Sequence, residues 1–234
     1  MARLPRLTLP GHVHYVVQRG NNLQAIFMDA QDYACMKDLL REMGRRFAVD
    51  LHAFILLPNQ MHLLVTPQAA DSLPKFMQSL GRTYVRTFNN RHGRSGTLWE
   101  GRYRATVIEP QAWLLPAMVV LESQAVVQGV VGRAVDYPWS SARHNVGAQT
   151  DGMLRVHPAY WRLGDTPFAR EAAYAALLDR GASEEVHEVV LGAALKGWVL
   201  GSESFIDSLK QGTERRLQRQ RAGRPVREPA EKAD

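Results

Sequence analysis

Two strand-like segments joined by a two-residue turn constrain the fold of this chain most strongly. Leu51 to Leu57 is a short apolar run suited to a buried strand, and Gln60 to Thr66 is a second run of strand length. Only Pro58-Asn59 separates them. A connection this short joins antiparallel neighbours, since parallel strands need a long crossover. The chain therefore contains a β-hairpin, whose apolar residues other elements must cover.

Strand and helix patterns alternate on both sides of this hairpin. Gly11 to Arg19 has the β-branched and aromatic composition of a strand, and a helix opens at Asp29 or Asp32. A second helix starts at Ser72, followed by a strand at Arg102 to Ile108 and a further helix from Gln111 to Val120. The order β-α-β-β-α-β with a trailing helix predicts an α+β fold, an antiparallel sheet with helices on one face.

The 234 residues exceed what this α+β unit needs, so we divide the chain into three parts. Residues 1–145 form the α+β domain, 146–212 a helical extension, and 213–234 a basic tail with few apolar residues that we expect to be disordered. Pro138 to Pro158 reads as a linker.

Three short helices are predicted in the extension, at Arg170 to Leu178, Glu184 to Leu195 and Ser204 to Leu209. The last two are compatible with a helix-turn-helix that reads DNA. They are equally compatible with a helical cap on the sheet, and the spacing does not separate the two alternatives.

Cysteine content and hydropathy indicate the compartment. A single cysteine, Cys35, excludes an internal disulfide framework and any CxxC site, which favours a reducing compartment. The first residues lack the apolar segment of a signal peptide, and the most apolar stretch, Trp113 to Val131, is too polar to cross a membrane. We expect a cytoplasmic protein with no membrane contact.

The charge balance points to an anionic partner. The chain has 29 Lys+Arg against 23 Asp+Glu, a formal net charge of +6, and most of its basic residues are arginines. Between Gly81 and Arg104 arginines interleave with aromatic residues, a combination that suits phosphates and unpaired bases; the alternative is a solvated arginine surface. The candidate DNA-binding residues are Arg19, Arg82, Arg86, Arg91, Arg94, Arg102 and Arg104.

Histidines occur at metal-ligand spacing in two strands. Gln60 and His62 lie two residues apart, on one face of their strand, where both side chains can reach one metal ion. From spacing alone, a hydrogen-bonded strand histidine is the more common outcome. His12 and His14 form a second pair at the same spacing, for which we favour ordinary hydrogen bonds.

Four motifs in a fixed order carry a family resemblance over about residues 3 to 145. Together they resemble the single-strand insertion-sequence transposases and the related REP-associated tyrosine transposases of the HUH endonuclease superfamily. The motifs are Gln18-Arg19-Gly20-Asn21, Leu57-Pro58-Asn59 followed by His62-Leu63-Leu64-Val65, the segment from Phe88 to Tyr103, and Asp136-Tyr137-Pro138-Trp139-Ser140-Ser141.

The resemblance implies a ferredoxin-like fold and a bacterial homodimer that acts on single-stranded or hairpin DNA in transposition. In this family two histidines and a polar helix residue hold Mg²⁺ or Mn²⁺, which polarises the scissile phosphate. A tyrosine on that helix attacks the phosphorus and stays attached to the DNA. The implied location is the cytoplasm, with nucleoid association when DNA is bound.

The matching positions in this chain depart from the family pattern. His62 keeps one histidine of the metal pair, but Gln60 stands where the first belongs. Gln124 falls on the third ligand position, and Val120 on that of the nucleophilic tyrosine. Gln124 lies one helical turn after Val120, so a pocket of Gln60, His62 and Gln124 is sterically sensible. An amide oxygen is acceptable to Mg²⁺ or Mn²⁺ but is a poorer ligand than imidazole, so we expect metal binding that is weak or absent. Tyr103 is the substitute nucleophile we would test.

Three functional hypotheses are compatible with the sequence. The favoured one is a transposase-family protein that binds single-stranded or hairpin DNA but has lost cleavage, because the nucleophile and a metal ligand are both replaced. The second is a transposase or nuclease that still cleaves single-stranded DNA through Tyr103 or an activated water. The third is a structural dimeric protein with no role on DNA.

Overall fold

A computed structural model describes residues 6–218 of the chain. Residues 219–234, most of the predicted basic tail, lie outside the described residues. The strands are β1 (His14–Arg19), β2 (Val49–Leu57), β3 (Gln60–Pro67) and β4 (Arg104–Val107). The helices are α1 (Ala30–Arg46), α2 (Ser72–Arg91), α3 (Pro110–Glu122), α4 (Gln124–Val127), α5 (Ala142–Asn145), α6 (Pro158–Trp161), α7 (Pro167–Arg180), α8 (Glu184–Lys196) and α9 (Glu203–Lys210).

The four strands form one antiparallel sheet in the order β2-β3-β1-β4. The predicted hairpin is β2-β3, which pairs Leu57 with Gln60 across the turn. Strand β1 inserts between β3 and β4, placing Val17 opposite His62 on one side and opposite Arg104 on the other. The β-α-β-β-α-β order in this sheet confirms the predicted ferredoxin-like α+β class.

One face of the sheet packs against α1 and α2. Val16, Phe54 and Leu63 of the strands contact apolar residues that recur at helical spacing, including Met36, Leu40, Phe76, Leu80 and Tyr84. Helix α1 begins at its N-cap Asp29, whose carboxylate accepts from the amides of Gln31 and Asp32. This layer matches the sequence expectation.

The other face of the sheet is also covered, which the sequence did not predict. Val17, Ile55 and Leu64 pack against α3, whose Val120 and Leu121 are completely buried, and residues of α7 and α8 complete this layer. On this side Tyr15 and Val17 of β1 and Ala53, Ile55 and Leu57 of β2 are all buried. The sheet therefore needs a second layer to exclude water.

The predicted linker, Pro138 to Pro158, is instead packed against the sheet edge. The amide of Leu56 donates to the carbonyl of Trp139, and that of Ser141 donates to Phe54. The Trp139 ring stacks on Tyr33 with 4.7 Å between centroids. The linker interpretation is wrong, because this segment satisfies the outer edge of β2, which lacks a further strand.

Helices α8 and α9 form a cap rather than a helix-turn-helix. Helix α8 contacts β4, β1 and α3, and its buried residues Val190 and Ala194 belong to the layer over the sheet. Helix α9 joins a separate apolar cluster with Leu7, Val107 and Leu217. Among residues 6–218, no helix has the length and apolar character needed to cross a membrane.

Candidate nucleic-acid interface

A groove of about 670 Å³ runs between α2, the strands β1 and β3, and the segment 99–103 that precedes β4. Its floor and walls include Gln18 of β1, Met61 of β3 and the aromatic rings of Trp99 and Tyr103. We call it the α2 groove. Its rim carries cationic side chains, which are Arg6, Lys75, Arg82, Arg86 and Arg102.

Three of these arginines carry charge that the fold does not use. Arg82, Arg86 and Arg102 are exposed and, among the described residues, make no hydrogen bond or ion pair. Lys75 pairs with Asp71 at the surface. A groove lined by uncompensated guanidinium groups and by two aromatic rings has the charge and the stacking surfaces that nucleic-acid strands bind.

Three contributors to this groove were not among the residues that the sequence predicted for DNA binding: Arg6, Gln18 and Lys75. Lys75 lies two helical turns before Arg82, so the spacing contained the signal that both share one face of α2. Arg6 lies with its guanidinium 4.0 Å from the centroid of the Tyr103 ring, a contact that nothing in the local sequence indicates.

Arg91 and Arg94, two predicted DNA-binding residues, are engaged within the fold. Arg91 forms ion pairs with Asp29 and with the buried Asp32, and His92 also contacts Asp32, at 2.9 Å. These contacts clamp the end of α2 to the start of α1. Arg94 donates to the side chain of Gln24 at 3.1 Å.

Arg19 and Arg104 lie beside a second, smaller opening that we call the Arg19 recess. It is lined by Val17, Gln18, Arg19, Glu100, Gly101, Arg102 and Arg104, and holds about 20 Å³. Arg104 donates to the carbonyl of Leu195 in α8 at 3.0 Å. Gln18, Gly101 and Arg102 line both openings, so the recess adjoins the α2 groove.

His62, the retained family histidine, is buried on the α3 face of the sheet. Its Nδ1 lies 2.9 Å from the hydroxyl of Tyr15, and its Nε2 is buried with no hydrogen-bond partner among the described residues. Burial, together with the nearby charge of Arg19, lowers the pKa of His62 to about 3, so its imidazole is neutral at pH 7.

Within residues 6–218, neither of the other two predicted metal ligands makes a hydrogen bond to His62. Gln60 is half-buried, opposite Arg19 across the β1-β3 ladder. Gln124 is buried; its amide nitrogen donates to the carbonyl of Val120 at 3.0 Å and lies 3.4 Å from Nδ1 of His187 on α8. The Gln124 amide, which the expected metal site needs as a ligand, is therefore in contact with His187 of α8 instead.

These residues fit a divalent metal poorly. The donors are one imidazole nitrogen and two neutral amides, whereas Mg²⁺ and Mn²⁺ favour carboxylate oxygens. The Arg19 guanidinium, close enough to lower the pKa of His62, adds a positive charge that repels a cation. Across residues 6–218, no cluster of three or more His, Cys, Asp or Glu side chains has metal-site geometry.

Tyr103, the substitute nucleophile expected from the sequence, lies away from His62. Tyr103 belongs to the layer on the α1-α2 face of the sheet, whereas His62 faces α3. Tyr84 and Tyr137 donate to main-chain carbonyls inside the core, so both have packing roles. Tyr15, which the sequence did not single out, is the tyrosine that contacts His62.

His12 and His14 make ordinary hydrogen bonds, as expected. His14 Nδ1 lies 2.8 Å from the carbonyl of His12, and its Nε2 accepts from the amide of Leu9 at 3.2 Å. His12 Nδ1 lies 2.9 Å from the carbonyl of Pro10. Both rings therefore hold the chain where it enters β1.

The comparisons with known proteins bear on this arrangement. Residues 11–113 match the family model described as "Transposase IS200 like". The matched range contains β1 to β4 and ends before Val120. No curated protein matches the sequence.

Two solved structures are similar to the chain. One is a REP-associated tyrosine transposase bound to a REP hairpin, 17% identical, covering 68% of this chain and 93% of that one, with a TM-score of 0.53. The other is a protein from Deinococcus radiodurans R1 named as a candidate transposase, 18% identical, covering 56% of this chain and 96% of that one, with a TM-score of 0.36.

The first of these structures shares the fold of this chain, and the family match covers the whole four-stranded sheet. The sheet order, the motif order and the family match agree with one another. Residues 11–113 of this chain are therefore similar to the IS200-like transposase family over the whole four-stranded sheet.

Proposed function

We propose that this protein binds single-stranded or hairpin DNA through the α2 groove. The observation that carries the proposal is the set of three exposed arginines, Arg82, Arg86 and Arg102, with no partner among the described residues. Phosphates neutralised by such groups release counterions, and Trp99 offers a ring on which a base can stack. The solved structure with this fold, a transposase bound to a REP hairpin, supports a hairpin as the partner.

We further propose that the protein has lost DNA cleavage. Val120 is completely buried and has no nucleophile, and Tyr103 lies on the opposite face of the sheet from His62. In-line attack needs the nucleophile within about 3–3.5 Å of the phosphorus. A tyrosine separated from His62 by the sheet does not meet that requirement.

Metal dependence is reduced or absent in this proposal. Without a carboxylate or a second imidazole beside His62, the Mg²⁺ or Mn²⁺ implied by the family has too few strong ligands.

The homodimer implied by the resemblance is also part of the proposal. Light scattering during size-exclusion chromatography tests it, because a monomer mass would remove this element and leave DNA binding in place.

Two assays test the proposed function. In the first, a labelled hairpin oligonucleotide, an unstructured strand and a duplex of the same stem compete for the protein; we expect the hairpin or the unstructured strand to bind more tightly than the duplex. In the second, the protein is incubated with Mn²⁺ and labelled hairpin DNA and run on a denaturing gel. We expect no covalent adduct, and an adduct would restore the active transposase as the better account.

A further inference from the structure

Two exposed aromatic side chains lie close together in sequence, where α6 is followed by α7. Among residues 6–218, Trp161 and Phe168 are the Phe, Trp and Tyr side chains that stand mostly in solvent, at 55% and 80% of their full surface. Aromatic residues are enriched in protein interfaces, because a large rigid ring loses much apolar surface and little conformational freedom on contact. The start of α7 is therefore a candidate contact surface.

Helix α7 has one face inside the fold and one face outside it. Tyr174 and Leu178 are buried in the layer over the sheet. Phe168, Ala172 and Ala176 recur at intervals of four residues and are all exposed. Residues at this interval are neighbours on a helix surface, so they form one row along the outer face of α7. The row places a large ring beside two small side chains.

This row is complementary to a second copy of itself. In an antiparallel pair of α7 helices centred on Ala172, Phe168 of each copy lies opposite Ala176 of the other. The same contact occurs twice, as a two-fold symmetric interface requires. The small alanine side chains leave room for the rings and let the two helices approach closely. An unrelated partner protein would not require this match within one helix.

The charges at the two ends of α7 fit the same pairing. Asp165 precedes the helix and Arg180 is its last residue; both side chains are exposed and, within residues 6–218, make no hydrogen bond or ion pair. Asp179, beside Arg180, is paired with Arg133 at 3.7 Å. Because Asp165 and Arg180 stand at nearly the same distance in sequence from Ala172, antiparallel pairing brings each opposite the other's counterpart in the second copy.

We propose that α7 is the homodimer interface of this protein, with Phe168 of each copy packed on Ala172 and Ala176 of the other, and Asp165 paired with Arg180 at both ends. The inference rests on the homodimer in the proposed function. It places the interface in the helical extension, outside the residues 11–113 that resemble the transposase family. The row is short, so we expect a reversible dimer that forms at micromolar or higher protein concentration.

Sedimentation equilibrium of the full chain over a range of concentrations tests the interface. We expect a monomer–dimer equilibrium in the wild type, and a dissociation constant about a hundredfold higher in Phe168→Glu, because both rings of the symmetric dimer are lost. Val189→Glu, at an exposed apolar position of α8, is the matched control and keeps the wild-type constant. A dimer that Phe168→Glu leaves intact would overturn the inference alone. A monomeric wild type would overturn it together with the homodimer of the proposed function.

Charge reversal tests the two ends without changing Phe168. Arg180→Asp places two carboxylates together at each end, and we expect the dissociation constant of the dimer to rise about tenfold. The double variant Asp165→Arg/Arg180→Asp should return to within about twofold of the wild type, because opposite charges face each other again. A double variant as weak as the single variant would contradict antiparallel pairing and overturn the proposal.

A disulfide across the symmetry axis tests the register. The wild type contains one cysteine, the half-buried Cys35, and is the background control. Ala172→Cys places two thiols at the axis within disulfide reach, so we expect a covalent dimer with oxidised glutathione on a non-reducing gel. Ala176→Cys lies about 12 Å along the axis from its own counterpart and should not cross-link.

Cross-linking of both cysteine variants alike, or of neither, would overturn the proposed pairing. Hairpin binding is measured separately on the wild type and on Phe168→Glu. A protein that dimerises through α7 but binds no DNA would therefore contradict the DNA binding in the proposed function and leave the interface in place.

Discussion

The hydroxyl of Tyr15 on β1 lies 2.9 Å from Nδ1 of His62 on β3, and the two rings meet edge to face with 5.8 Å between their centroids. Both side chains are buried, so each satisfies the other's polar atom where water has no access. This contact fixes the orientation of His62, the histidine that the sequence resemblance places in a metal pair.

Replacing the tyrosine with phenylalanine tests that contact. Tyr15→Phe leaves Nδ1 of His62 buried without its donor, and we expect a loss of about 1–3 kcal/mol in the free energy of unfolding measured with urea. The control Tyr137→Phe removes a hydroxyl that donates to Leu56 elsewhere in the core. It should leave the His62 ring signals unchanged, and equal NMR effects of both variants would contradict the assigned contact.

A buried carboxyl group gives the protein a specific pH dependence. Glu122 of α3 accepts from Ser141, Asn145 and Tyr174 and has no exposed surface. Burial raises the pKa of Glu122 from 4.5 to about 7, against the effect of its three hydrogen bonds. The folded state thus holds a proton that the unfolded chain releases between pH 4.5 and 7.

The stabilising effect of this proton is complete below pH 4.5 and is lost as the pH rises to 7. We expect the wild type to lose about 3 kcal/mol relative to Glu122→Gln between these values, because each pKa unit corresponds to about 1.4 kcal/mol. Urea unfolding at pH 4.5, 6 and 7.5 measures the difference. Glu185→Gln on the exposed side of α8 is the control and should follow the wild type; a pH-independent difference for Glu122→Gln would refute the assignment.

Arg91 should act on stability and not on DNA affinity. Its guanidinium is engaged by Asp29 and Asp32, so Arg91→Gln leaves the buried carboxylate of Asp32 with His92 and the Met28 amide as partners. We expect a lower Tm but hairpin affinity within about twofold of wild type. Arg86→Gln should do the reverse, with affinity falling on the order of tenfold at 0.1 M salt. Fluorescence anisotropy and thermal unfolding on both variants check the contrast, and a large affinity loss in Arg91→Gln would return Arg91 to the interface.

Restoring the family residues should not restore cleavage. Val120 of α3 has no accessible surface, because it is packed in the apolar layer that α3 and α8 form over the sheet. A tyrosine there overpacks this layer, so we expect Gln60→His/Val120→Tyr to lose about 2 kcal/mol of stability and to form no covalent DNA adduct with Mn²⁺. Gln60→His alone serves as the control for the half-buried position. An adduct in the double variant would show that two substitutions account for the whole loss of chemistry.

Much of the fold is readable from local patterns. The two-residue turn at Pro58-Asn59 defines the hairpin, and helical spacing defines α1 and α2 and the face that each buries. The layer on the α3 face was not predicted. The apolar stripe of α8 indicates that one face of this helix is buried, but it does not identify the element that covers it. The pairing of Trp139 and Ser141 with β2 was missed for the same reason: it depends on an unsatisfied edge far away in sequence.

The candidate site divides in the same way. The spacing of Arg82 and Arg86 on α2 predicts their shared face, and both line the α2 groove. The partners of Arg91 lie about sixty residues earlier, so no local pattern distinguishes it from the arginines of the groove. The contact of Tyr15 with His62 depends on strand register, which the sequence does not specify between strands that are not joined by a turn.

The salt dependence of hairpin binding tests the central claim most directly. We would measure the affinity of a labelled hairpin DNA by fluorescence anisotropy between 50 and 300 mM salt (an experimental range of about sixfold). The proteins are the wild type, Arg82→Gln/Arg86→Gln/Arg102→Gln, and the charge-matched control Arg41→Gln/Arg133→Gln/Lys210→Gln, whose residues form exposed surface pairs. We predict a steep wild-type slope of log K against log salt, reduced by about one per arginine removed from the groove and unchanged in the control. A flat wild-type slope, or equal slopes for the two triple variants, would contradict DNA binding by this groove.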